Sequence, residues 1–235
     1  TAKKFDIPNV FELLDDAAAC RNVVFDIAVP ASATLSILDR LPDEATVLIQ
    51  KPMGEDLAMA GAIRERCRSK GLTAAINHQL RFAPHCLAAS SLIDQGAIGE
   101  IMAMEVRITI SSPWHLWDFL EGIPRVEILY HSVHYLDLMR AFLGEPRAAY
   151  CRTLKHPSSP KLAQVRSYVI LDYGDNLMVG AQVNHSHGFG RDHQESYIKW
   201  EGTRGAIKST MGILMNYPEG VPDTFDYCVL KDEVD

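Results

Sequence analysis

No Gly-x-Gly-x-x-Gly turn follows any apolar run in this chain, so the backbone device that brings N–H groups against a dinucleotide pyrophosphate is missing from it. Its five cysteines (Cys20, Cys67, Cys86, Cys151, Cys228) have neither paired nor metal-type spacing. That argues against a disulfide framework and for reduced thiols in a cytoplasmic protein. No apolar stretch reaches membrane-spanning length and no signal peptide opens the chain, so no membrane role is expected. Basic residues are not in excess: 23 Lys and Arg against 30 Asp and Glu give a net charge of −7, which argues against nucleic acid as a partner. Internal repeats are absent, and low complexity is confined to His156-Pro157-Ser158-Ser159-Pro160. What remains is an ordinary globular composition. At 235 residues and 47% hydrophobic content the chain can bury one large α/β core or two smaller ones.

The first third alternates strand and helix patterns. Val23 to Ala28 is a short β-branched run stopped at Val29-Pro30, and a helix is expected from Ala31 to Leu41. Ala45 to Gln50 forms a second apolar strand, Glu55 to Lys70 a helix ended by Gly71, and Leu72 to Asn77 a third strand. Short strands separated by helices imply parallel βαβ units. Beyond Gly96-Ala97-Ile98-Gly99 the runs lengthen and alternate, as in Met104 to Ile110, Gln164 to Asp172, Asn176 to Asn184, Glu195 to Trp200 and Ala206 to Ser209. Tyr173-Gly174-Asp175-Asn176 predicts an antiparallel hairpin, and one long helix is expected from Val126 to Leu143. The expected fold is therefore an α/β Rossmann-type domain, incomplete at its N-terminus, over residues 1–80. An α+β domain with a large, mostly antiparallel open sheet is expected over 81–235. Both ends, at Thr1 and at Lys231 to Asp235, read as mid-element, which predicts a fragment lacking a first βαβ segment.

Chemistry concentrates first at Lys51-Pro52. An apolar strand that delivers a lysine and stops at proline places an ammonium at the carboxyl edge of a sheet, where ligands bind in open α/β folds. The proline restrains the lysine's backbone as well as its own. An ordinary solvated Lys-Pro turn is the plain alternative. On the long helix, Tyr130, His134 and Asp137 fall at i, i+4 and i+7, one polar face within an apolar element.

Three segments occur in a recognisable order: Ile27-Ala28-Val29-Pro30, Gln50-Lys51-Pro52-Met53-Gly54 and His131-Ser132-Val133-His134-Tyr135-Leu136-Asp137. With Asp94 to Glu100, Leu143-Gly144-Glu145-Pro146 and Glu201-Gly202-Thr203-Arg204-Gly205, the chain resembles the glucose–fructose oxidoreductase / inositol dehydrogenase (Gfo/Idh/MocA) family. The resemblance implies a Rossmann domain that binds NAD or NADP. It also implies a substrate domain whose sheet makes a homo-oligomer, dimer or tetramer, and hydride exchange with a carbinol carbon of a sugar-like substrate. Carried over residue by residue, Lys51 matches the lysine of the family's Glu-Lys-Pro motif and His134 its helix histidine. Gln50 stands where the family has glutamate, and Tyr130 where many members have a substrate-binding aspartate.

The catalytic candidates are thus Lys51, His134 and Tyr130. Cofactor candidates are Ala28, Pro30, Gln50, Lys51, Pro52 and Arg81, and substrate candidates are Lys51, His78, Tyr130, His134 and Asp137. Removing a hydride from an alcohol carbon requires a base for the hydroxyl proton; a buried lysine or a histidine suits that task, whereas tyrosine is a poor base at neutral pH. Arg81 reads equally well as an ion-pair residue at the domain boundary. Trp114-His115-Leu116-Trp117 suits sugar stacking or, more simply, anchors a loop. His185, His187 and His193 look like metal ligands but lack a converging third member, so no metal is expected. The competing function is a non-catalytic, ligand-binding regulatory protein on the same fold.

Overall fold

A computed structural model describes residues 2–230; Thr1 and 231–235, with the reading of unfinished ends made on them, lie outside the described residues. The chain divides into two compact units, Thr1–His78 and Gln79–Asp235.

The first unit holds α1 (Leu14–Ala18), β1 (Val24–Ile27), α2 (Thr34–Arg40), β2 (Thr46–Gln50), α3 (Leu57–Ser69) and β3 (Thr73–Asn77). The three strands are parallel in the order β1-β2-β3. Val47 and Ile49, alternate residues of β2, point into a core with Ile27, Leu38, Leu41, Ile63 and Cys67. Asp56 caps α3 by accepting the Met59 N–H at 2.7 Å. The helix expected from Ala31 begins instead as a tight turn over Ala31–Ala33, because Pro30 sets an extended entry and leaves no side-chain cap.

In the second unit, α4 (Pro84–Asp94) precedes β4 (Ile101–Thr109), α5 (Val133–Leu143), β5 (Ala148–Leu154), β6 (Arg166–Asp172), β7 (Met178–Asn184), β8 (Glu195–Gly202), β9 (Gly205–Thr210) and β10 (Thr224–Val229). They build a seven-stranded sheet in the order β10-β9-β8-β4-β7-β6-β5. Every pairing is antiparallel except β4 with β7. The hairpin through Tyr173 to Asn176 joins β6 to β7 as expected. One sheet face carries Met104, Val106, Ile108, Val169, Val179, Val183, Ile198 and Trp200, packed with Leu138 and Met139 of α5.

Two strands escape the sequence reading. Both β5 and β10 are sheet edges with largely exposed residues, so neither shows the apolar alternation that marks a half-buried strand. The long helix runs from Val126 to Leu143 as expected, but it is interrupted by a π turn over Ile128–Ser132. Its wide spacing suits a link between side chains five residues apart, the Ser132 hydroxyl donating to Glu127 Oε1 at 2.5 Å.

Candidate functional site

The parallel strands of the first unit end together, with Ile27 beside Ile49, and Gln50 beside Asn77. Across this carboxyl edge runs a ladder of side chains. The Gln50 amide nitrogen donates to Asp26 Oδ1 at 2.7 Å, and its oxygen accepts from Asn77 Nδ2 at 2.9 Å. Gln50, a cofactor candidate, therefore has both ends of its amide engaged by neighbouring strands. Asp26 and Asn77 were not singled out from the sequence. The available signal was an aspartate interrupting the apolar run Val23 to Ala28.

Lys51 follows directly, joined to the buried Pro52 by a cis peptide bond. Its burial lowers the ammonium pKa from the ordinary lysine value, because a charge is costly out of water. Such a lysine gives up its proton more readily than a solvated one, as acid–base work requires. Ala28 and Pro30 stand exposed just past β1, on the same edge of the sheet. His78 is half-buried just beyond β3, its N–H donating to the Ile76 carbonyl at 2.9 Å.

The second unit carries the other candidates. His134 lies in the first turn of α5 and is half-buried. Asp137, one turn on, is buried and held by Arg81: Nη2 reaches Oδ1 at 2.7 Å, and Nε donates to Oδ2. A planar guanidinium gripping both carboxylate oxygens is the strongest ion-pair geometry available to these side chains. Two residues taken for separate duties, cofactor and substrate, thus serve each other. Both partners lie within the second unit.

Tyr130 falls on the π turn rather than on α5, so its i, i+4 relation to His134 within one regular helix is lost. It is buried with Leu120, Ile123, Val126, Leu162 and Val165, and its ring meets Phe119 at 5.9 Å. Trp114 is an anchor: its indole donates to Ser186 Oγ at 3.1 Å and its ring edge packs on His131 and His185. Among the described residues no three His, Cys, Asp or Glu side chains are grouped to hold a metal ion. His185 and His187 are buried, while His193 lies on an exposed turn. No helix among the described residues is long and apolar enough to cross a membrane.

Residues 86–208, just over half the chain, match the family profile described as the GFO/IDH/MocA C-terminal domain. The chain belongs to the GFO/IDH/MocA family. Among curated relatives, the uncharacterized oxidoreductase YhhX of Escherichia coli K12 is 31% identical over 117 residues, 48% of this chain and 33% of its own length. Two further curated relatives are matched over 51% and 53% of their lengths, so the chain spans about half or less of these relatives. A solved oxidoreductase from Agrobacterium radiobacter, in complex with NAD+, L-tartaric acid and magnesium, shares the fold. The TM-score is 0.74 at 21% identity, over 96% of this chain and 67% of that one. An inositol dehydrogenase homolog from Azotobacter vinelandii, complexed with NADH and myo-inositol, gives 0.70 at 16% identity, over 91% and 59%. Both likenesses are likenesses of fold: the Rossmann-type parallel strands followed by the large, mostly antiparallel sheet of the GFO/IDH/MocA proteins.

Proposed function

We propose that this chain is part of a cytoplasmic nicotinamide-dependent oxidoreductase that exchanges hydride between NAD or NADP and the carbinol carbon of a sugar, polyol or similar small molecule. The observation that carries the reading is Lys51, a lysine whose ammonium is destabilised by burial at the carboxyl edge of a parallel sheet. Family membership supports it, as do the NAD+ and NADH bound in the Agrobacterium and Azotobacter structures.

Bound nicotinamide supplies the hydride acceptor. Of this chain's residues, Ala28, Pro30 and Pro52 offer apolar and backbone surface at the edge where such a ring would lie. Gln50 acts indirectly, fixing the end of β2 through Asp26 and Asn77. Lys51 orients the substrate oxygen and lowers the cost of its losing a proton. His134 takes that proton as the carbon gives up hydride, since imidazole titrates near neutrality. His78 and Tyr130 are retained as hydrogen-bonding residues toward substrate hydroxyls. Arg81 and Asp137 hold α5 in place rather than touch the reacting atoms.

Titrating NADH and NADPH into the full-length protein tests the cofactor, and a sugar and polyol screen with the preferred one tests turnover. Saturable binding with turnover that disappears in Lys51→Met and His134→Ala, binding being kept, supports the oxidoreductase. One observation favours a regulatory protein instead: tyrosine, a poor base, replaces the substrate-binding aspartate of many members and lies buried. Tight cofactor binding without turnover of any polyol would decide for that second reading.

A further inference from the structure

A polar cluster lies behind the entry to α5 and takes no part in the roles above. Glu127 is fully buried, and a buried carboxyl must be neutral or else paired and hydrogen-bonded. The hydroxyls of Ser132 and Ser167 and the Ser132 N–H surround it. His185 Nε2 stands 3.9 Å from Glu127 Oε1, at ion-pair range, and His185 is itself buried. The other ring nitrogen, Nδ1, lies 3.1 Å from Ser112 Oγ. Against the His185 ring packs that of His131, with centroids 3.9 Å apart and planes inclined by 31°; Trp114 closes both edge-on. His131 belongs to the π turn that leads into His134.

We propose that Glu127 and His185 share one buried proton and act as positioning residues, holding His131 and the π turn ahead of His134. With a single proton the pair is electrically neutral, as its burial demands. Burial raises the Glu127 carboxyl pKa, against the opposing pull of the Ser132 and Ser167 hydrogen bonds, and the His185 ring 3.9 Å away is the second group that can take the proton. Tyr135 of α5 and Cys151 of β5 also face Glu127. Both are pushed up by burial first and the Glu127 charge second, so both stay neutral. A second proton on the pair leaves His185 cationic beside a neutral carboxyl, a buried charge without its anionic partner and packed on the His131 ring. The cluster is thus favoured near neutrality and disfavoured on the acid side.

The decisive experiment is an NMR titration of the full-length protein, following the His185 ring nitrogens and the Glu127 carboxyl carbon. Both signals are expected to move with common midpoints, and Glu127→Gln is expected to move the His185 midpoint by about one pH unit or more. Independent titration of the two groups, or a His185 midpoint unmoved in Glu127→Gln, overturns the proposal. These readouts need no turnover. A kinetic arm rests on the oxidoreductase reading: Glu127→Gln should shift the acid limb of kcat while the KM for cofactor stays put. If Glu127→Gln fails to fold, His185→Phe keeps the stacked ring without its nitrogens. In that variant the Glu127 titration is expected to shift, and an unshifted one overturns the proposal equally.

Discussion

Gln50 illustrates how a neighbouring side chain fits a residue that departs from the family motif. Where the family motif carries glutamate, this chain has an amide, and the amide's N–H₂ is needed by the Asp26 carboxylate. Gln50→Glu would set two carboxylates in contact and remove a donor. Urea denaturation should show a loss of about 1 kcal/mol, largely recovered when Asp26→Asn is added. Lys51 ties stability to pH. Its folded-state pKa lies below that of the unfolded chain, so the folded state binds fewer protons between the two values, and stability rises with pH there. Lys51→Met should therefore remove that rise while abolishing turnover, as urea midpoints of both proteins followed from neutral pH toward the usual lysine range would show. A rise that persists in the variant would assign it to another group. Arg81→Ala makes a third case, leaving the buried Asp137 without its guanidinium. Arg81 is itself partly exposed, so a loss of about 2 kcal/mol is expected, less than for a wholly buried pair.

Elements, rather than residues, decide how the second unit closes. Gly99 turns into β4 with φ of +71°, and a Cβ there would strike the Thr203 hydroxyl and crowd the Arg204 backbone. The turn is stitched to the β8–β9 turn by Thr203 N–H to the Glu100 carbonyl at 2.9 Å and Arg204 N–H to the Ile98 carbonyl at 2.8 Å. Gly99→Ala should lower the thermal midpoint by several degrees, whereas Gly188→Ala, with open space around it, should not. Both sides of this turn were visible in the sequence as Gly96 to Glu100 and Glu201 to Gly205, because turn chemistry is local. Strands β4, β6 and β7 were visible for a related reason: half-burial imposes a period of two on their residues. Less legible were features set by partners distant in sequence. Nothing near Ser132 announces the π turn, which depends on a carboxyl five residues away, and nothing near Arg81 announces Asp137, 56 residues on. The candidate site divides in the same way. Lys51 shows itself through its strand and proline, while Asp26, Asn77, Glu127 and His185 matter through contacts that only the fold creates.

At the scale of the whole molecule, the sheet of the second unit has a second face to account for. On β6 the residues alternate, with Val169 and Leu171 buried and Tyr168 and Ile170 exposed at 49% and 60%. Tyr150 of β5, exposed at 61%, stands directly beside Ile170, whose other neighbour is Gly180 of β7. Tyr150, Ile170 and Tyr168 are neighbours on this face and make an apolar patch of the kind suited to self-association about a two-fold axis. The homo-oligomer implied by family resemblance would use this face, through the same patch on each copy. Ile170→Lys would then place like charges opposite one another at the centre of the contact, whereas Leu87→Lys would alter an exposed residue of α4, away from this face. Light scattering after size exclusion should give a multiple of the chain mass for the wild type and for Leu87→Lys, and the monomer mass for Ile170→Lys. A wild type that runs as a monomer at micromolar concentration, or an Ile170→Lys variant that keeps its multiple, would assign the patch to some other partner.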